Sequence, residues 1–402
     1  MKKLVAYILV VAMVMAPLLF TPARANSPNI AAPIAVVMCF ETGDILYDRN
    51  MNQRWIPASM TKIMTAFITY EEIAAGNLTA STQITVSANA ARFSNDRRVQ
   101  GTFIPMTQGS SHTVETLLQL VMLPSGNAAA LVLAEHIAGT EAAFVERMNQ
   151  TAEDLGMYSS FTNSHGAHAH HTNAYSVAVL IREFISRHPD ILRITAMPSM
   201  RFGGSTHNNT NRLLPGRSHA FRGADGFKTG TIRAAGWNHS TTAVRDGRRV
   251  IAVVMNAANN DQRQAQSRTL LQFGFDELAR RDVAAAERVR VFHRGEAIPL
   301  NAPAIVDNGC LFLPMSDMLR PLGFTLSWDS ENRVATATNS DGDINVPVDR
   351  SSITVRGRSV NVSTPARMFD SRVYVSLEIV EAMTNTTAHW DRNTGMVNFR
   401  AR

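Results

Sequence analysis

The chain has 402 residues, of which 45% are hydrophobic and 18% charged. This is enough apolar material for two or three folded domains, and too little charge for a disordered chain. Two cysteines, Cys39 and Cys310, exclude a disulfide-rich scaffold and a four-cysteine zinc site. The formal net charge is +6, and three of these charges lie in residues 1–25, which contain no acid. The rest of the chain is therefore only weakly basic, which gives no indication of a nucleic-acid partner.

The first 25 residues have the pattern of a secretory signal. Two lysines precede an apolar run at 4–20, and the small residues Ala23 and Ala25 stand where a signal peptidase reads the chain. The pattern predicts cleavage before Asn26 and a secreted protein. An uncleaved membrane anchor is the alternative.

Helical and strand patterns then alternate as far as residue 280. Apolar runs at 34–38 and 250–255 predict two buried strands. Amphipathic patterns predict helices, at 63–73, 114–122, 128–137, 140–155, 175–186 and 268–280. A linker is predicted at 282–287. The expected organisation is a signal peptide, a large domain and a smaller domain, at 1–25, 26–284 and 285–402.

The smaller domain contains an internal repeat at an offset of 62 residues. Trp328 corresponds to Trp390, and each copy has an apolar strand, a short helix, a Trp-Asp pair and a final strand. The recurrence of tryptophan at the same repeat position favours packing over ligand stacking. Arginines and acids both number 13 in residues 287–402, so this domain is neutral.

Lysine is rare in this protein. Of 39 basic residues only four are lysines, and only Lys62 and Lys228 lie outside the leader. An arginine bias of this size is typical of genome composition, so a surviving lysine is a candidate for chemistry that arginine cannot perform. Lysine can lose its proton in a suitable site, whereas arginine stays charged.

Each lysine stands in a short motif with small hydroxyl residues. Ser59 and Lys62 are three apart at the start of an apolar helix, so the amine can reach the serine hydroxyl. Lys228 is followed by Thr229 and Gly230, a combination suited to recognition of a carboxylate on an edge strand. Between them lies a third motif, Ser125-Gly126-Asn127. Each motif is common alone, but the ordered set S-x-x-K, S-G-N, K-T-G is specific.

With these motifs and their flanks, the chain resembles the serine D-alanyl-D-alanine carboxypeptidases among the low-molecular-mass penicillin-binding proteins. The resemblance covers about residues 30–280. It implies an α/β (α+β) domain of the β-lactamase/transpeptidase type, with an antiparallel sheet flanked by helices. The repeats resemble a stalk module first named from the N-terminal domain of copper amine oxidases, a small α+β tandem-repeat domain. That name brings no metal here, because the module has only two histidines, His293 and His389.

The family resemblance implies a role for each motif residue. Ser59 would attack the carbonyl of the penultimate D-alanine, with a neutral Lys62 as base and Ser125 as proton shuttle. The same resemblance assigns substrate binding to four residues of the second and third motifs and to Thr231 after them, whose backbone N–H would form the oxyanion hole with that of Ser59. These substrate-binding residues are Asn127, Lys228, Thr229, Gly230 and Thr231.

The resemblance also implies the partners and the location. The substrate is the peptidoglycan stem peptide ending in D-Ala-D-Ala, and β-lactam antibiotics bind the same site. No cofactor and no metal are expected. The protein is expected to be extracytoplasmic and associated with the cell wall, periplasmic if the source has an outer membrane. Residues 285–402 are expected to bind a wall polymer or a surface protein.

Two other functions stay open from the sequence. A class A β-lactamase shares the motif order, but it needs a loop glutamate with an asparagine four residues later, and no glutamate between Asn127 and Lys228 has one. A wall-binding protein with an inactive catalytic domain is the second alternative. The histidines of residues 165–171 predict an exposed, solvated loop, with an adventitious or regulatory Zn²⁺ site as the alternative.

Overall fold

The structure is a computed structural model that describes residues 27–96, 98–168 and 170–402. The signal peptide predicted at 1–25 lies outside the described residues. Within them, no single helix has the length and apolar composition to cross a membrane. One pair of helices, bent by 86° at the break between them, passes that test jointly.

The first domain is built on a five-stranded antiparallel sheet. The strands are β1 (Ile34–Cys39), β2 (Ile45–Arg49), β7 (Ala224–Ile232), β8 (Gly236–Arg245) and β9 (Arg248–Ala257). Their order is β2-β1-β9-β8-β7, which leaves β7 at an edge. All six residues of β1 are buried, because helices cover the sheet on both faces. Two small two-stranded antiparallel sheets complete the domain, β3 (Gln83–Thr85) with β4 (Ser111–Thr113) and β5 (Ser199–Phe202) with β6 (Ser205–Asn208).

Eight α-helices belong to this domain in the described residues. They are α1 (Lys62–Ala74), α2 (Ala88–Asn95), α3 (Val114–Met122), α4 (Asn127–Ala138), α5 (Glu141–Asp154), α6 (Ala174–Arg187), α7 (Ile191–Thr195) and α8 (Asn260–Glu287). The larger core lies between the sheet and helices α1 to α7. A smaller core lies under α8 on the other face. The antiparallel sheet with helical layers confirms the predicted fold class.

Most predicted elements are present with ends shifted by one or two residues. The helix predicted at 268–280 is longer, because α8 begins after the cap Asn259, whose side chain accepts from Gln262 N, and continues to Glu287. The predicted linker at 282–287 is therefore the last part of α8. The sequence pattern missed β8, because its polar buried residues do not form an apolar run.

The second domain contains thirteen strands among its described residues, in three sheets. They are β10 (Arg290–His293), β11 (Glu296–Ile298), β12 (Ile305–Asp307), β13 (Cys310–Pro314), β14 (Thr325–Asp329), β15 (Val334–Asn339), β16 (Gly342–Pro347), β17 (Ser352–Val355), β18 (Arg358–Asn361), β19 (Arg367–Phe369), β20 (Arg372–Ser376), β21 (Thr386–Trp390) and β22 (Met396–Ala401), with helices α9 (Met315–Leu319) and α10 (Leu377–Thr384).

The two sequence repeats interlock in this domain. The first strand of one copy, β10, pairs in parallel with the last strand of the other, β22. The apolar strands β13 and β20, which correspond in the repeat, pair with each other. One hydrophobic core takes residues from both copies, so neither copy forms a separate unit. The packing expected for both tryptophans holds only in part, since Trp328 is 42% exposed.

Contacts of α8 join the two domains. Asp282 accepts from the Arg248 guanidinium at 2.6 Å and from the backbone N–H of Gly309 in the second domain at 3.3 Å. Within the second domain, Arg392 donates to the Gly309 carbonyl. Cys39 and Cys310 are both free thiols, so the described structure contains no disulfide.

Gly274 allows α8 to pack closely on the sheet. A Cβ at this position would lie 2.6 Å from Val250 Cγ1 and 2.9 Å from Val37 Cγ1. We expect Gly274→Val to lower stability by about 1–3 kcal/mol through overpacking, although valine is the better helix former. The exposed Ala279 of the same helix supplies the control, Ala279→Val. Thermal unfolding followed by circular dichroism measures both, and an equal effect of the two changes would contradict this account of α8 packing.

Candidate active site

Ser59 lies in a short 3-10 helix, Ala58–Thr61, that is packed against the edge strand β7. The contact is so close that a Cβ at Gly230 would lie 2.3 Å from the carbonyl oxygen of Pro57. The residue before Ser59, Ala58, has a positive φ of 49°, a conformation that costs energy in a residue with a Cβ. The side chain of Ser59 is thereby held beside the edge strand β7, and 8% of the residue is exposed.

Lys62 is fully buried and contacts three oxygen atoms. Its Nζ lies 3.2 Å from Ser59 Oγ, 2.7 Å from Asn127 Oδ1 and 2.5 Å from the backbone oxygen of His165. The amide and carbonyl oxygens accept hydrogen bonds and cannot donate. A neutral amine therefore gives its two N–H groups to them, and its lone pair is left to accept from the Ser59 hydroxyl.

The surroundings of Lys62 favour this neutral form. Burial lowers its pKa well below the usual range, and the charge of Lys228 lowers it further. An acid that paired with the amine would have the opposite effect, and none is among its described contacts. The amine and the serine hydroxyl thus have the arrangement that general-base catalysis requires.

Ser125 and Asn127 stand at the start of helix α4. Ser125 has a positive φ of 72°, and its buried Oγ has no hydrogen-bond partner among the residues that the structure describes. The Asn127 amide holds two elements together, since Oδ1 accepts from Lys62 and Nδ2 donates to the Gln100 carbonyl at 3.0 Å. A strained backbone that presents an unpaired hydroxyl is typical of functional sites.

Strand β7 contributes a second buried lysine. Lys228 is 1% exposed, and burial together with the charge of Arg263 lowers its pKa to about 7. Its Nζ donates to the Thr229 carbonyl at 3.3 Å. Thr229 Oγ1 donates to Thr210 Oγ1 at 2.7 Å. Strand β7 lies at the edge of the sheet, as the sequence analysis expected for Lys228, and both Lys228 and Thr229 are buried there.

Arg263 is a component of the site that the sequence analysis missed. This residue of α8 is 5% exposed, and its guanidinium donates to Thr231 Oγ1 at 2.8 Å. The ring of Trp237 lies 4.8 Å below the guanidinium carbon. Burial and the charge of Arg212 lower its pKa to about 9. Among 35 arginines no sequence signal distinguishes this one, because only the packing of α8 on the sheet brings it to β7.

The histidine tract is not the solvated loop that we expected. His165 and His170 are each 2% exposed, and only His168 and His171 are exposed. The tract packs under the 3-10 helix Ala58–Thr61, called the serine turn below. In this turn Thr61 Oγ1 donates to the Ala58 carbonyl and lies 2.7 Å from His170 Nε2. The single hydroxyl proton is thus used, so His170 Nε2 is the donor in that contact.

A metal site is absent from this tract as far as the structure is described. No group of three or more His, Cys, Asp or Glu side chains with the geometry for a metal ion occurs in residues 27–96, 98–168 and 170–402. The tract instead supplies a backbone acceptor for Lys62. Glu141 holds that segment, since its carboxylate accepts from the N–H and the hydroxyl of Ser164 at 2.9 and 2.6 Å.

All eight residues predicted for the site lie in three adjoining segments. They are the serine turn with the start of α1, the start of α4, and strand β7. The arrangement combines a serine hydroxyl, a desolvated amine and a cationic edge strand. This combination suits acyl transfer from a substrate that carries a carboxylate.

Comparison with known proteins gives the same picture. Residues 21–259 match the family model described as D-alanyl-D-alanine carboxypeptidase, and residues 292–399 match the copper amine oxidase N-terminal domain. The chain is 33% identical over 280 residues to D-alanyl-D-alanine carboxypeptidase DacD of Escherichia coli, covering 69% of each chain. It is 33% identical over 254 residues to DacF of Bacillus subtilis, covering 61% of this chain and 62% of that protein.

Solved structures resemble the first domain. Penicillin-binding protein 6B from Escherichia coli is 35% identical, with a TM-score of 0.59 over 63% of this chain and 80% of that one. Penicillin-binding protein D2 from Listeria monocytogenes in its cefotaxime-bound form is 28% identical, with a TM-score of 0.55 over 62% and 99%. With the motif geometry above, these matches show that the chain belongs to the D-alanyl-D-alanine carboxypeptidase family of serine peptidases, and that it carries a copper-amine-oxidase-N-type module at 292–399.

Proposed function

We propose that this protein is a serine D-alanyl-D-alanine carboxypeptidase that trims peptidoglycan pentapeptides through an acyl-enzyme on Ser59. The observation that carries the proposal is the coordination of Lys62. Two carbonyl-type oxygens occupy its N–H groups at 2.7 and 2.5 Å, and the serine hydroxyl lies at 3.2 Å. The lysine is therefore prepared to accept the hydroxyl proton as the serine attacks.

Acylation proceeds with this proton transfer. Ser59 Oγ forms a bond to the carbonyl carbon of the penultimate D-alanine while its proton passes to Lys62 Nζ. The carbon–nitrogen bond to the terminal D-alanine then breaks, and the leaving amine takes the proton from Lys62 Nζ by way of Ser125 Oγ, which has no hydrogen-bond partner among the described residues. Water attacks the acyl-enzyme, and the serine recovers its proton as the shortened peptide leaves.

The substrate is held by the two other motifs. Asn127 binds a substrate amide, and Lys228 and Thr229 bind the terminal carboxylate, with the charge of Arg263 close by. The oxyanion hole is formed by the N–H groups of Ser59 and Thr231. The close approach of β7 at Gly230, where a Cβ would be 3.1 Å from Ser59 N, supports this assignment because it brings the two segments together.

The same site should react with β-lactams. The related Listeria protein is described in a cefotaxime-bound form, and a β-lactam presents an acyl group and a carboxylate to the same elements. A class A β-lactamase and an inactive wall-binding protein are the alternatives. The Lys62 geometry argues against an inactive domain, because each hydrogen-bonding position of the amine is filled.

We further propose that the enzyme acts outside the cytoplasm at the cell wall, with residues 26–284 as the catalytic domain and 285–402 as a wall-positioning domain. The predicted leader supports export. The separate hydrophobic core of residues 289–399 supports independent folding of the second domain. Binding of a wall polymer or a surface protein would raise the local substrate concentration without altering the chemistry.

Ser59→Ala tests the proposed nucleophile. We expect loss of both D-alanine release from a D-Ala-D-Ala pentapeptide and covalent labelling by fluorescent penicillin. Wild-type protein should label and stay labelled over time. Rapid loss of the label would indicate a β-lactamase, no label at all would indicate an inactive domain, and a labelled Ser59→Ala variant would refute the assignment of the serine.

The two lysines give a matched pair of arginine variants. Lys62→Arg keeps the charge but cannot act as base, so acylation should fall about 10²- to 10⁴-fold. Lys228→Arg should retain more activity. If both variants labelled at the wild-type rate, the rarity of lysine would reflect arginine bias alone.

The pH dependence of kcat/KM separates the roles further. With a pKa of about 7, Lys228 loses its proton as pH rises, and the cation for the substrate carboxylate is lost. We therefore expect wild-type kcat/KM on a peptide to fall above neutral pH. In Lys228→Arg the fall should move to higher pH, because guanidinium stays charged. If the fall of kcat/KM at high pH were the same in Lys228→Arg as in the wild type, a group other than Lys228 would be responsible for it.

Truncation tests the second domain. A chain ending near Ala286, close to the end of α8, should cleave a small soluble peptide at the full-length rate and bind isolated wall material less well. Equal wall binding by the two forms would refute the positioning role. Loss of peptide cleavage would show instead that the second domain supports the catalytic fold, through contacts such as that of Asp282 with Gly309.

A further inference from the structure

Two consecutive carbonyl groups, those of Ser164 and His165, face helix α1. The Ser164 carbonyl accepts from Thr65 Oγ1 and the His165 carbonyl accepts from Lys62 Nζ, both at 2.5 Å. Lys62 and Thr65 are three residues apart on α1, so their side chains lie on one face of the helix. One of the contacts of the Lys62 amine therefore depends on how residues 164–165 are held.

The Asn163 side chain fixes the direction of these two carbonyls. The C=O of one residue and the N–H of the next belong to one planar peptide group, in which they point in opposite directions. The N–H groups of His165 and Gly166 both donate to Asn163 Oδ1, at 3.3 and 2.6 Å. The carbonyls of Ser164 and His165 thus point away from Asn163. This turn sets their direction, but it does not set their distance from α1, because it lies entirely within the segment.

Glu141 ties the segment to helix α5, which begins at this residue. One carboxylate oxygen, Oε1, accepts from the N–H and the hydroxyl of Ser164 and also lies 3.6 Å from His165 Nε2. Nδ1 of that ring accepts from the Ala167 N–H at 3.1 Å, so the proton of the neutral ring is on Nε2, which faces Glu141. Burial keeps the ring neutral, because it lowers the pKa of His165 well below its usual range.

A shift of the His165 carbonyl would change what the Lys62 amine does. A neutral amine has two N–H groups and one lone pair. While Asn127 Oδ1 and the His165 carbonyl take the two N–H groups, the lone pair faces the Ser59 hydroxyl. Once the His165 carbonyl has moved away, the released N–H can donate to Ser59 Oγ instead, and the lone pair turns away from the hydroxyl proton. The position of the segment therefore decides whether the lysine is oriented as a base.

We propose that Glu141 is a positioning residue for the catalytic base. Its carboxylate holds residues 164–165 against α1, so that the His165 carbonyl takes one N–H of Lys62 and the lone pair of the amine stays directed at Ser59. This inference rests on the proposed function, because that function makes Lys62 the base.

Two conservative variants separate the reach of the side chain from its charge. Glu141→Gln keeps an acceptor oxygen at the same reach and removes the charge, so acylation by fluorescent penicillin should stay close to the wild-type rate. Glu141→Asp keeps the charge at the start of α5 but withdraws the carboxylate by one methylene. Acylation should then fall about 10- to 100-fold, the loss that a displacement of about 1 Å can cause. An acid that only stabilised the helix N-terminus would give the opposite order, because its charge would matter and its reach would not.

Steady-state kinetics on a D-Ala-D-Ala peptide provide a second readout. In Glu141→Asp we expect kcat to fall with the acylation rate while KM changes little, because the described contacts of Glu141 are with residues 164–165 and not with 228–231. Glu115 supplies the control. It is exposed in the first turn of α3 and follows the cap Thr113, as Glu141 follows the cap Thr140, so Glu115→Asp should keep the wild-type kcat.

The outcomes distinguish this inference from the proposed function. Wild-type acylation in Glu141→Asp, an equal fall in Glu141→Gln and Glu141→Asp, or an equal fall in Glu115→Asp would overturn the positioning role and leave Lys62 as the base. If the wild-type protein neither labels with penicillin nor releases D-alanine, the proposed function fails and the positioning role fails with it.

Discussion

The site depends on keeping a lysine amine out of water without an acidic partner. Lys62 is completely buried, and its surroundings offer two carbonyl-type oxygens and a serine hydroxyl. Burial of a charge is costly, so the surroundings favour the neutral form of the amine. The larger core, the start of α4 and the histidine tract together create this environment. Each of them supplies either the exclusion of water or one of the acceptors.

Strand β7 provides the second feature of the proposed site, a cationic strand at the edge of the sheet for an extended substrate. It stays unpaired on one side because the sheet ends there. Gly230 lets the strand approach the serine turn more closely than any side chain would permit. Behind the strand, Asp225 pairs with Arg249 through two hydrogen bonds of 2.8 Å, which fixes the segment that leads into Lys228.

The two sequence repeats of the second domain form one folded unit with a shared core. Neither copy can bury its apolar strand alone, and pairing of β13 with β20 covers both. The parallel pairing of β10 with β22 joins the beginning of one copy to the end of the other. A single repeat should therefore be unstable by itself, in contrast to solenoid repeats, which contact only their neighbours in a row.

The sequence by itself determined the motif residues, the main helices and the two central apolar strands β1 and β9, because these follow from local spacing, apolar periodicity and the rarity of lysine. Only the tertiary structure decided which other groups meet them. Arg263 and the His165 carbonyl reach the site through contacts across more than 30 and 100 residues of chain, and no local pattern encodes such contacts. The burial of His165 and His170 was not predicted for the same reason. A polar segment is expected to be exposed unless the residues that pack over it are known.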